Sequence, residues 1–298
     1  MKTSLAFLIA AFLCVFFPFE GQNQNSGKNT PQVNNTPGDS TPRDGVYDKM
    51  AITQQEPIPY PYLREADIVW TKRVWRMVDL REKINQPFYF PDKPRKDYRS
   101  FAQLIWDNVM DHTISGVYNA DKNDRFTVPI TLQEILDRVE SVDSTLVTTD
   151  SAGVDIKAWN VTHNTFTPVD VKKFLIKEDW YFDRQRSVFE VRILGICPIT
   201  MNRVKGMNVG DKYLFWIYFP DCRKVFSQYE VFNLKNGVAG RMTYDDVFMK
   251  RMFSSYVVKE ENVYDREIGD YAKGVDALLE SEKAKNTLYE FEQNLWEY

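Results

Sequence analysis

Residues 66–85, ADIVWTKRVWRMVDLREKIN, constrain the fold most, because they read with a period of two and not with a period of 3.6. Ile68, Trp70, Val74, Val78 and Leu80 share one side of an extended chain, interrupted by Lys72 and Arg76. Thr71, Arg73, Trp75, Asp79 and Arg81 share the other. Helical spacing would spread the same apolar residues all round. The alternation and the β-branched content predict a strand over at least residues 74–80, with room for a helical turn before it.

Two further segments read as strands, SVFEVRILGI at 187–196 and YLFWIYF at 213–219, the second introduced by Gly210-Asp211. Weaker strand signals lie at 114–118, 125–128 and 154–159. Helix starts are marked by a hydroxyl residue followed three positions later by an acid or amide, at Ser100/Gln103, Thr131/Glu134 and Thr243/Asp246. The first opens a helix with Phe101, Leu104, Ile105 and Val109 on one face, the second a helix with Leu132, Ile135, Leu136 and Val139 aligned. Residues 221–232 form a further helix candidate after Pro220. Strands and helices mix without a regular βαβ order, so the fold class is α+β. The expected plan is one main globular domain over 63–268 and a C-terminal helix over 269–298. That helix carries Tyr271, Val275, Leu278, Leu279, Tyr289 and Trp296, and its middle, 280–285, has Ala284 as its one apolar position. Burial is expected at its two ends, against the core or against a neighbour. There is no internal repeat.

The chain opens MKTSLAFLIAAFLCVFFPFEG, a positive Lys2 followed by an apolar run too short to span a bilayer comfortably. This predicts a secretory signal peptide over 1–21, with cleavage near Gly21. Cys14 lies inside the apolar run behind a bulky Leu13, which disfavours lipid attachment there. Residues 22–62 follow as an Asn- and Pro-rich leader, with Val33 the only large aliphatic residue in 22–45. It ends in EPIPYPY at 56–62, a stiff, polyproline-like arm that would lie on a partner or on its own core.

The formal net charge is −4, and removing residues 1–21 takes away Lys2 and Glu20 and leaves it unchanged. That balance disfavours general nucleic-acid binding. No later segment has the run of apolar residues a membrane helix needs. The only histidines are His112 and His163, and neither has the neighbours of a zinc site. Cys197 and Cys222 form no C-x-x-C and have no histidine nearby, so neither reads as a nucleophile. Export permits a disulfide between them, but a hairpin of 187–196 with 213–219 would hold them apart. Two buried thiols are the expectation. Asp143, Asp150 and Asp155, or Asp245 and Asp246, could be imagined as acid-base pairs, yet solvated faces explain them as well. Asp150-Ser151-Ala152 resembles a bacterial periplasmic O-glycosylation triplet and reads as a plain loop.

Returning to the opening segment, ADIVWTKRVWRMVDLREKINQPFYFP closely resembles the signature of the GldN/PorN family of the type IX secretion and gliding motility apparatus. The likeness continues through WIYFPDCRKVFSQYEVFN at 216–233, TYDDVFMKRMFSSYVVKEENVYDR at 243–266 and GVDALLESEKAKN at 274–286. The resemblance implies a periplasmic, non-enzymatic subunit without a cofactor or metal. It would associate with itself and with a GldK/PorK-type outer-membrane lipoprotein in a ring, and contact a GldM/PorM-type motor shaft protein. Membrane association would be indirect, through the lipoprotein. The family offers no catalytic motif to carry over.

On this reading the tryptophans and cations of 70–81 are either core and solvated charge or a protein contact, since Trp and Arg dominate interface energies. Trp70, Arg73, Trp75, Arg76, Asp79, Arg81, Tyr289 and Trp296 are the interface candidates. Two rival functions remain, a periplasmic carboxylate-dependent hydrolase and a carbohydrate-binding module. Scarce histidine and the missing nucleophile motif weigh against the first. The cations between the tryptophans weigh against a neutral glycan.

Overall fold

The alternating segment forms a 12-residue strand, β1 (Ile68–Asp79), preceded by a 3-10 turn at Glu65–Asp67. The structure is a computed structural model that describes residues 54–95, 98–121, 124–139, 141–151, 154–164, 166–204, 207–232 and 241–295. The expected signal peptide and nearly all of the leader lie outside these residues. After β1 come α1 (Gln86–Tyr89), α2 (Phe101–Met110), β2 (Val117–Asn119), α3 (Leu132–Val139), β3 (Ser141–Ser151), β4 (Val154–Asn164) and β5 (Val171–Asp183). Then follow β6 (Val188–Val204), β7 (Met207–Tyr213), β8 (Phe215–Tyr218), α4 (Phe219–Phe226), α5 (Tyr244–Met249), β9 (Tyr256–Glu260), α6 (Ile268–Tyr271) and α7 (Val275–Asn294).

The class is α+β. Among the described residues one sheet runs β2-β8-β6-β5-β1-β9, with β7 also paired to β6, and every pairing is antiparallel. β3 and β4 make a separate hairpin. From Trp70↔Phe182 to Asp79↔Lys173 the β1–β5 register is unbroken, so each face stays continuous across the spine of the sheet. One face presents Val78, Phe174, Ile176, Ile196 and Ile217 to α2, α4 and α5, whose Phe101, Phe226 and Phe248 fill the main core. Further along the same face Val74, Trp180 and Val257 pack under α6 and α7 against Ile268 and Leu288. The opposite face is buried too, by Trp75, Met77, Leu175, Cys197, Ile199 and Trp216.

The three helix caps form as the sequence predicts. Ser100 Oγ accepts from the Gln103 N–H at 3.2 Å, and Thr131 and Thr243 exchange reciprocal bonds with Glu134 and Asp246. Other expectations shift. Residues 125–128 form no strand, because Phe126 takes a left-handed φ of 56° and folds back over the sheet. Its ring lies where a Cβ on Gly195 would fall 2.5 Å away, so β6 needs glycine there. α4 starts at Phe219, ahead of residue 221, because Pro220 fits the first helical turn, and it ends at Phe226. The C-terminal helix is broken at Gly274, whose φ of 62° and ψ of −124° suit glycine.

β6 continues to Val204 and turns back into β7, so Cys197 lies in mid-strand and not near a hairpin turn. Cys197 and Cys222 are both free and buried, on opposite faces of the sheet. Burial raises both thiols, Cys222 to about 12.

Between the two halves of the helix-covered face runs a buried polar seam. Glu178, fully buried, accepts from Arg251 Nη1 and Nη2 at 3.0 and 3.1 Å and from Trp180 Nε1 at 3.2 Å. Glu178→Ala would strand the Arg251 guanidinium against the Trp180 ring. Since Arg251 keeps partial access to water, a loss of about 3 kcal/mol is expected, the low end for breaking a buried pair. Urea denaturation of the variant checks this.

Candidate interaction site

The six β1-region candidates do not form one surface, because both faces of the strand are covered. Trp70 is half-buried and stacks on Phe291 of α7, ring centroids 4.2 Å apart. Arg73 holds Asp179 through two bonds of 2.6 and 2.8 Å. Arg76 is 5% exposed and donates to the Ser255 hydroxyl and carbonyl at 2.9 and 3.1 Å, with burial lowering its pKa. Arg81 pairs with Asp79 at 2.6 Å and holds that carboxyl below its usual range. Tyr289 lies partly exposed on α7, and Trp296 falls outside the described residues.

Trp75, 7% exposed, has the most informative surroundings. It stands in a cross-strand row, with Lys177 of β5 on one side and Lys259 of β9 on the other. Their ammonium groups lie 5.6 and 4.7 Å from its ring centroid. Both attract the π-face of the indole. Trp75, Leu175, Tyr213, Trp216 and Val258 floor an open cavity of about 440 Å³. Asp124, Arg125, Lys259, Asp265 and Glu267 form its rim.

The rim charges are unevenly matched. Asp124 answers the buried Lys177 at 3.3 Å, and burial lowers that lysine's pKa. Asp265 pairs with Lys259 at 2.6 Å. Glu267 donates its backbone N–H to Asp270 Oδ2 at 2.9 Å and its carbonyl accepts the Asp270 N–H at 3.1 Å, while its carboxylate has no ion pair among the described residues. Burial, then the neighbouring Asp270, raises its carboxyl pKa. No sequence signal announced this cavity, since its contributors come from five strands and two loops.

A second surface is apolar. Val275, Leu278 and Leu279 of α7 are 70, 61 and 63% exposed, at the spacing of one helical stripe, with exposed Tyr271 just before them. Ser281 and Leu288 are the buried residues of α7. Its N-terminal end is therefore open, where the sequence suggested burial at both ends. The proline-rich arm rests on its own core through Tyr60, whose ring lies 4.4 Å from the Arg223 guanidinium and 5.0 Å from that of Arg192. Ile58 and Tyr62 on the same arm stay exposed.

Of the acids imagined as catalytic pairs, Asp245 and Asp246 have other work. Asp245 makes two bonds to Arg223 at 2.8 and 2.9 Å, and Asp246 caps α5. Asp143, Asp150 and Asp155 sit on β3 and β4, of which only the backbone is described, and Ser151 ends β3. His112 lies in an exposed turn after α2. Among the described residues no group of three or more His, Cys, Asp or Glu could hold a metal ion.

A family model described as gliding motility associated protein GldN matches residues 63–297. No curated protein matches the chain.

Two outcomes are expected. Trp75→Ala should cost about 3–5 kcal/mol as a large-to-small core change, while Arg73→Ala, removing a partly exposed pair, should cost no more than about 1 kcal/mol; urea denaturation separates them. Glu267, whose folded pKa is raised, binds more protons folded than unfolded, so its contribution favours folding as pH falls from above the folded pKa toward the unfolded one near 4.5. Glu267→Gln should remove that increment and leave neutral-pH stability no lower, read from thermal melts across this range.

Proposed function

Because the chain belongs to the GldN family of gliding-motility-associated proteins, we propose that it is a non-enzymatic structural subunit of the type IX secretion and gliding machinery. Membership in the machinery follows from the family, whose model covers nearly all of the folded part. That match is the observation that carries the reading. The finer assignment is periplasmic. The chain, exported by its first 21 residues, assembles with a GldK/PorK-type lipoprotein under the outer membrane, associates with further copies in a ring and meets a GldM/PorM-type shaft. No helix among the described residues is long and apolar enough to cross a membrane, which fits attachment through a partner.

The exposed stripe on α7 supports a role in assembly. Apolar residues at 61–70% exposure gain from burial against another protein, and their removal from water is the main favourable term in association. Asp245 and Asp246 are engaged in an ion pair and a helix cap, and no observation among the described residues favours the enzymatic alternative.

Leu278→Glu with Leu279→Glu tests this. Both side chains face solvent, so the isolated protein should lose no more than about 0.5 kcal/mol per site. Recovery of an outer-membrane lipoprotein in a mild-detergent pulldown should fall, by about 2 kcal/mol if the stripe is central to the contact. Full recovery by a folded double variant would remove α7 from the interface. Absence of any lipoprotein with the unaltered chain would sink the assembly reading itself.

A further inference from the structure

One carboxylate at the cavity over Trp75 makes no ion pair among the described residues. Asp124 and Asp265 are answered by Lys177 and Lys259, at 3.3 and 2.6 Å. Glu267, half-buried on the same rim, faces Asp270, Asp265 and the Lys259 that Asp265 already holds, and has no ion pair among the described residues. We propose that this cavity receives one basic side chain, lysine or arginine, from a protein partner, with its aliphatic stem on Trp216 and Val258 and its cationic head at Glu267.

Three features select this ligand chemistry. The floor is aromatic and aliphatic, and the faces of Trp and Tyr attract cations while the stem of a basic residue covers apolar surface. A charge-assisted bond to Glu267 would give a half-buried carboxylate the ion pair it lacks among the described residues. Beside Glu267 an anionic ligand would meet Asp265 and Asp270 against the single Lys259, and a neutral sugar would leave Glu267 without an ion pair. The volume of about 440 Å³ accommodates one extended side chain. The proposal rests on the reading that the chain works through protein contacts, but its test needs no partner, so the two can fail separately.

The test uses the exported chain and three acetylated tripeptide amides, Gly-Lys-Gly, Gly-Arg-Gly and Gly-Gln-Gly, followed through the indole N–H resonances of Trp75 and Trp216. Saturable shifts are expected with the lysine and arginine peptides and not with the glutamine peptide. Glu267→Gln should weaken binding about tenfold or more, the usual effect of losing a hydrogen bond to a charged group. Its melting temperature verifies folding, and Glu267→Asp, which keeps the charge but shortens the reach, should fall between. Equal response to the glutamine peptide, unchanged affinity in the Glu267→Gln variant, or shifts produced by an N-acetylglucosamine oligomer but by neither basic peptide would each overturn the proposal.

Discussion

The turn at residues 250–255 is fastened by three buried polar side chains from separate parts of the chain, and the placement of everything after it depends on them. Glu178 of β5 takes Arg251, Arg76 of β1 takes Ser255, and Asn85 brackets Ser254 by accepting from its N–H and donating to its carbonyl, both at 2.9 Å. Glu178 and Asn85 are fully buried, so leaving either unsatisfied would carry the full desolvation penalty. Satisfying all three at once leaves the turn little choice of position. β9 starts immediately after it, pairs with β1, and delivers α6 and α7 onto the same face of the sheet. Arg251 accepts a left-handed φ of 52° to reach Glu178.

The sheet is covered on both faces, and this explains which parts of the sequence were legible. Alternation marked β1 as a strand, and the β-branched and aromatic runs marked β6 and β8, because strand period depends on the backbone alone. Hydroxyl-to-acid spacing marked the caps of α2, α3 and α5, because that bond is local. The cover of each face was not legible. In a sheet with one wet face, Arg73, Trp75 and Arg81 would mark the outer side. Here Trp75 is buried in a cluster that Trp216 and the loop residue Phe126 join, and Arg76, on the helix-covered side, is the buried anchor of a turn 179 residues away. Long-range pairing of that kind leaves no periodic trace.

The cavity was hidden for the same reason. Lys177 and Lys259 reach Trp75 only because β5 and β9 flank β1 in a register that puts residues 75, 177 and 259 in one row. Read along the chain, they are ordinary lysines in LIKEDW and VVKEEN. The family motifs were legible at a different level, since they record the whole pattern of residues without saying what each one touches.

The distribution of charge also decides what kind of contact the surface can make. The cations of residues 72–81 are engaged inside the chain: Lys72 with Glu260, Arg73 with Asp179, Arg76 with Ser255 and Arg81 with Asp79. What α7 offers outward near its start is apolar, with Val275, Leu278 and Leu279 in one stripe. An association made through that stripe draws mainly on removing apolar area from water, a term that added salt does not screen. A contact through the Glu267 cavity draws on one ion pair and weakens as salt rises. The two surfaces therefore differ in the physics of their binding as well as in position.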